Sequence, residues 1–171
     1  MKILLAIVAV FGCMAAVIGG AVLVMRGDAP DPHAYPGSSS GVSFAEAQEV
    51  SAIALPECAQ ETAKFHQGPS FVDAVVVMDF TAPDECVAEF LAGVGIDGNT
   101  PVVRWKQEFT ESGSPIVPPV NSGITWTFSR EDRVEYWRIE RSRGVYEKAV
   151  MVVVNRSAQP QHVYIESLPS N

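Results

Sequence analysis

From Ile3 to Met25 the chain carries no charged residue in 23 positions, whereas after Arg26 polar and apolar residues are mixed. At 1.5 Å per residue such a run makes a helix about 34 Å long, enough to cross a hydrocarbon core of roughly 30 Å. The pattern therefore predicts a single-pass transmembrane helix over residues 1–26. A cleaved signal peptide has a shorter apolar core and ends at small residues, but here Ala29 is followed by Pro30. Gly12, Ala16 and Gly20 recur every fourth residue on one stripe of that helix. Small residues in this register let two membrane helices approach closely, so they mark a candidate self-association seam, although such residues are common in membrane helices generally. Lys2 and the α-amino group precede the run, and Arg26, Asp28 and Asp31 follow it. With so short an N-terminal tail, the expectation is a cell-membrane protein oriented N-in, its C-terminal domain outside the cytoplasm.

Residues 27–42 are rich in Pro, Gly and Ser, a composition that predicts a disordered tether. Residues 43–171 then form the domain. Ser43-Phe44-Ala45-Glu46 is a capping-box pattern, and Phe44, Ala47, Val50, Ser51 and Ala54 follow at helical spacing up to Pro56. Glu61 to Gln67 reads as helix or strand. Phe71 to Phe80, with Val75, Val76 and Val77, reads as a buried strand, and Pro83-Asp84-Glu85 opens a helix that carries Val87, Phe90 and Leu91 inward. The C-terminal half reads as strands: Val102 to Phe109, the alternating Ile124 to Ser129, Val134 to Arg141, Val145 to Val154 and His162 to Leu168. Together these predict an α+β class, with an antiparallel β-meander sheet and one or two helices packed on one face.

The run Leu55-Pro56, then Phe71 to Phe80 with Asp73, then Thr81-Ala82-Pro83 leading to Phe90-Leu91, resembles small uncharacterised membrane-anchored or lipoprotein-like envelope proteins of actinobacteria. The resemblance covers about residues 55–96. It implies the same anchored topology and no activity.

A formal charge of −8 excludes the basic footprint that nucleic-acid binding requires. The acidity is uneven: Glu46 to Glu111 holds 12 acidic residues against Lys64, Arg104 and Lys106, whereas Arg130 to Lys148 holds six basic and five acidic residues. Apart from Cys13, which falls in the apolar run, the cysteines are Cys58 and Cys86, an even pair that predicts a disulfide in an oxidising compartment.

No P-loop or zinc-protease motif occurs, and neither a cofactor nor a catalytic residue is indicated. His33, His66 and His162 are the available bases, and Asp31 beside His33 falls far short of a metal site. Arg133, Tyr136, Trp137, Arg138 and Arg141 combine arginines with aromatics in an otherwise acidic chain, the composition that interface centres favour. They are the candidate binding surface, against the plainer reading of arginines paired with neighbouring glutamates. The function expected is a non-enzymatic envelope module that binds a protein or an envelope component. The alternatives are a surface enzyme, which needs His66 or His162 gathered with carboxylates, and an accessory subunit acting through its membrane helix.

Overall fold

In a computed structural model, which describes residues 30–39, 41–68, 75–104, 116–119, 122–129, 131–143 and 146–169, Ser43 and Glu46 exchange capping hydrogen bonds. The Ser43 hydroxyl accepts the Glu46 amide, and the Glu46 carboxylate accepts the Ser43 amide. Helix α1 (Phe44–Ser51) starts there and buries Phe44, Ala47 and Val50. It ends before Pro56, because Ala52 turns left-handed at φ 57° and the Ala52 and Ile53 amides close back on the Glu49 and Gln48 carbonyls. A single turn, α2 (Glu57–Gln60), follows Pro56. Helix α3 (Asp84–Gly93) follows Pro83, with Asp84 and Glu85 set against its positive end.

Six antiparallel strands form one sheet: β1 (Lys64–Gln67), β2 (Val76–Ala82), β3 (Val103–Arg104), β4 (Val134–Arg143), β5 (Tyr146–Asn155) and β6 (Gln161–Pro169), in the order β1-β2-β6-β5-β4-β3. One face carries Phe65, Met78, Phe80, Val152, Val154, Val163 and Ile165 into a core shared with all three helices. The other face carries Val153 and Tyr164, and Ile116, Trp126 and Phe128 pack over it. The central strands are covered on both sides, which is why their valines run on without alternation.

The chain divides into two units, Met1–Pro30 and Asp31–Asn171, and the described fold is that of the second. Several expectations are corrected. Among the described residues no helix is long and apolar enough to cross a membrane. The longest, α3, has 10 residues, roughly half the length a span requires. The single-pass anchor, with its N-in cell-membrane localisation, is therefore not supported; Gly12, Ala16 and Gly20, like the whole run from Ile3 to Met25, lie outside the described residues. Among the described residues three helices form rather than one or two. The sheet is a meander only from β3 through β4 and β5 to β6, because the hairpin of β1 and β2 joins it by pairing β2 with β6. Ile124 to Ser129 alternates in burial as predicted but pairs with no strand among the described residues: it lies across the sheet face. Phe71 to Ala74, and the stretch from Trp105 to Phe109, lie outside the described residues.

Residues 31–39, which the composition assigned to the tether, run parallel along β1. Phe65 N donates to His33 O at 2.9 Å, Tyr35 N to Phe65 O at 2.7 Å and Ser39 N to Gln67 O at 2.9 Å. Asp31 ties this segment to α1 by accepting the His33 and Phe44 amides, each at 2.8 Å. The segment thereby covers a sheet edge that would otherwise be open.

Cys58 in α2 and Cys86 in α3 form a disulfide with Cα atoms 6.1 Å apart, within the usual range, across a sequence separation of 28. Closing that loop stabilises the fold by about 3.5 kcal/mol in the chain-entropy model. Replacing both cysteines by Ala is therefore expected to lower the unfolding free energy in urea by roughly that amount. A loss well under 1 kcal/mol would show that the crosslink constrains little.

Candidate functional site

A cleft of about 400 Å³ opens between the C-terminal half of α3 and β4. Leu91 and Ile96, both mostly buried, line it with the exposed Ala88 and Ala92, while Glu135 and Trp137 on β4 and Arg156 after β5 form the other wall. Gly95, at φ +78°, lets the chain turn back after α3. Asp97 then closes a tight turn, its carboxylate accepting the Asn99 and Thr100 amides at 2.9 and 3.0 Å. These bonds, the Asn99 amide first, hold the Asp97 carboxyl below its ordinary value, so a full negative charge stands at the cleft mouth.

The floor is fixed by a chain of polar contacts. Arg156 Nε donates to Glu135 Oε2 at 2.9 Å and its Nη1 to Gln161 Oε1 at 2.6 Å, while Gln161 Nε2 donates to Asp84 Oδ1 at 2.9 Å. Strand β4 is thereby connected to the first turn of α3. Trp137 is only 6% exposed, and its indole Nε1 has no hydrogen-bond partner among the described residues. An unpaired buried donor costs about 1–3 kcal/mol, which makes it a position where a bound acceptor gains.

The predicted patch does not form one surface. Side chains alternate along a strand, and the β4–β5 register sets Trp137 opposite Val152 and Tyr136 opposite Val153. Trp137 and Arg141 thus belong to the helix-covered face and Tyr136 and Arg138 to the other. Tyr136 packs with Val134, Val153 and Tyr164. Arg138 is exposed, its Nε 3.9 Å from Glu140. Arg133 is exposed as well, and it enters the structure through its backbone, its carbonyl accepting the Arg156 amide and its amide donating to Ser157 Oγ, each at 2.8 Å. Arg141 has its Nε buried and, among the described residues, unpartnered. Of the five residues only Trp137 lines the cleft. Asp97, Ala92 and Arg156 were missed. For Asp97 a local signal exists, an Asp followed by Asn and Thr just after a helix; Arg156 is far from Trp137 in sequence and only the sheet pairing brings it near.

On the opposite face Asp79, 7% exposed, accepts from the Tyr35 hydroxyl and lies 2.7 Å from His162 Nε2. The His162 ring stacks on Tyr164 with centroids 4.1 Å apart, and Trp126 and Phe128 pack on the same tyrosine. Burial, then the Asp79 carboxylate, pushes the Tyr35 phenol well above its ordinary value, and the same two causes push Tyr164 up to about 12. Both phenols stay protonated at neutral pH. Each carboxylate oxygen of Asp79 already has its own partner, so the cluster fastens the 31–39 segment to the sheet rather than offering a free base. His66, the other candidate base, is buried on the same face with Nδ1 unpartnered, and burial lowers its pKa. Among the described residues no three of His, Cys, Asp and Glu stand together so as to hold a metal ion.

Compared with protein-family models, curated proteins and solved structures, the chain matches none of them.

Two outcomes follow from the fastening cluster. Tyr35→Phe removes the donor from a buried carboxylate and is expected to cost about 1–3 kcal/mol of stability in urea unfolding. For His66 the folded pKa lies below the unfolded value of 6.5, so the unfolded chain takes up the extra proton and stability falls as pH drops below about 6.5. The melting temperature of His66→Leu relative to wild type should therefore rise between pH 7.5 and pH 5.5, and a constant difference would contradict the assignment.

Proposed function

We propose that this chain is a non-enzymatic binding module of an oxidising, non-cytoplasmic compartment, and that the Trp137 cleft receives a segment of a partner protein. The observation that carries the reading is the buried indole N–H of Trp137, unpaired among the described residues, in the wall of a cleft whose lining is apolar on the helix side and charged at Glu135, Arg156 and Asp97. Such a donor suits a main-chain carbonyl of the partner. Ala88, Leu91, Ala92, Ile96 and Val102 offer an apolar path for a side-chain stem, and the ionised Asp97 favours a cationic head at its end. Glu135 is already neutralised by Arg156 at 2.9 Å, so Asp97 supplies the uncommitted charge. The Cys58–Cys86 bond supports that compartment, since disulfides persist where thiols are not kept reduced.

A photo-crosslinking residue at Val102, 43% exposed on the cleft rim, tests this against the same residue at Val117, which is 52% exposed and away from the cleft. In the cells that make the protein, the expected result is a discrete adduct from position 102, lost when Ala92→Trp fills the cleft, and none from position 117. Equal capture at both positions, or an adduct that survives Ala92→Trp, would sink the reading.

A further inference from the structure

Strand β4 has ten residues, yet β3 pairs only with Glu135 and Tyr136. Among the described residues nothing pairs with the outer edge of β4 from Trp137 to Arg143, although its other edge is fully paired with β5. A free edge presents unsatisfied amides and carbonyls and is a template for another strand. We propose that the occupant is a second copy of this chain, its β4 antiparallel to the first about a two-fold axis at Ile139. The charge pattern selects this partner and this register.

For both sheets to continue with matching faces, each residue must meet one of the same parity, so the axis must pass through a residue and not between two. With the axis at Arg138 or at Arg141, an arginine faces its own copy; with the axis at Glu140, two glutamates do. Like charges directly opposite are destabilising. With the axis at Ile139, an apolar side chain meets itself, Arg138 meets Glu140 of the copy twice over, and Trp137 meets Arg141. Arg138 and Glu140 have side chains 63% and 66% exposed and only a loose contact of 3.9 Å with each other, so both are free to pair across the seam. Val103 on Tyr136 stops the pairing at Trp137, which leaves five residues from each copy in the ladder.

This pairing deepens the cleft reading and in one respect rests on it. Arg141 of the copy, whose Nε lacks a partner here, lies on the same face as Trp137 at the cleft mouth, where Asp97 supplies the negative charge. An arginine over an indole beside a carboxylate is a favourable arrangement. The ladder itself stands on the open edge and its charges alone.

Sedimentation velocity of the purified full chain across a concentration series tests the proposal. Wild type should dimerise, Arg138→Glu and Glu140→Arg should each weaken the dimer about tenfold by setting like charges opposite at two symmetric places, and the double variant should recover to within about threefold of wild type. Melting temperatures of the three variants show that exposed substitutions leave the fold intact. A wild type that stays monomeric to about 0.5 mM, single reversals without effect, or a double variant no better than the singles would overturn the pairing. Ala92→Trp separates the two claims: normal dimerisation of that variant keeps the ladder and removes the cleft from the interface, while a weakened dimer supports both.

Discussion

Register between β4 and β5 is the constraint on which the rest depends. β5 is covered on both sides, with Val150, Val152 and Val154 packed under the helices and Val153 under the segment that carries Trp126 and Phe128. Each of its side chains therefore has an assigned layer, and β4 takes its layers from β5 because Trp137 is held opposite Val152. A slip of one residue would exchange the two faces of β4, turning Trp137 outward and Tyr136 into the helix layer. The cleft and the exposure of Arg138 and Glu140 both follow from that one alignment.

Polar contacts close the two ends of this arrangement in different ways. At the cleft, Arg156 joins Glu135 to Gln161 and through it to Asp84, so the helix wall and the strand wall keep their spacing. On the far side, Asp79 holds Tyr35 and His162, fastening residues 31–39 over the β1 edge. One sheet edge is thus covered by the chain itself. Along most of β4, among the described residues, the other edge is not. The contrast makes β4 the natural side for an interaction. The Cys58–Cys86 bond adds a restraint between α2 and α3, so the helix that forms one wall of the cleft is also held from its first turn.

Local signals in the sequence were read correctly where the cause was local. The Ser43 and Glu46 box starts α1 and Pro83 with its two acidic neighbours starts α3, because capping and dipole effects act within one turn. Valine-rich runs marked β2 and β5. What failed needed distant partners. Ile124, Trp126 and Phe128 do alternate inward, but alternation reports an extended chain lying on an apolar surface, and it does not say whether a strand pairs beside it. The composition of residues 31–39 showed that few side chains could be buried there; it gave no sign that the backbone bonds along β1. The arginine and aromatic cluster looked like one surface because its members are close in sequence, yet period-two geometry divides it between faces. Trp137 was singled out for its residue type, and its actual neighbours, Asp97 and Arg156, come from segments about 40 and 19 positions away.

The central claim is that β4 register buries Trp137 in the cleft wall with its indole N–H unpaired. The most direct measurement is the indole Nε1–H resonance of the ¹⁵N-labelled full chain, assigned through Trp137→Phe and followed by hydrogen exchange. The account predicts a resonance at the position of an indole without a hydrogen bond, protected from exchange, that moves when Ala92→Trp fills the cleft. Exchange as fast as that of an open indole, or a shift unchanged by Ala92→Trp, would contradict it.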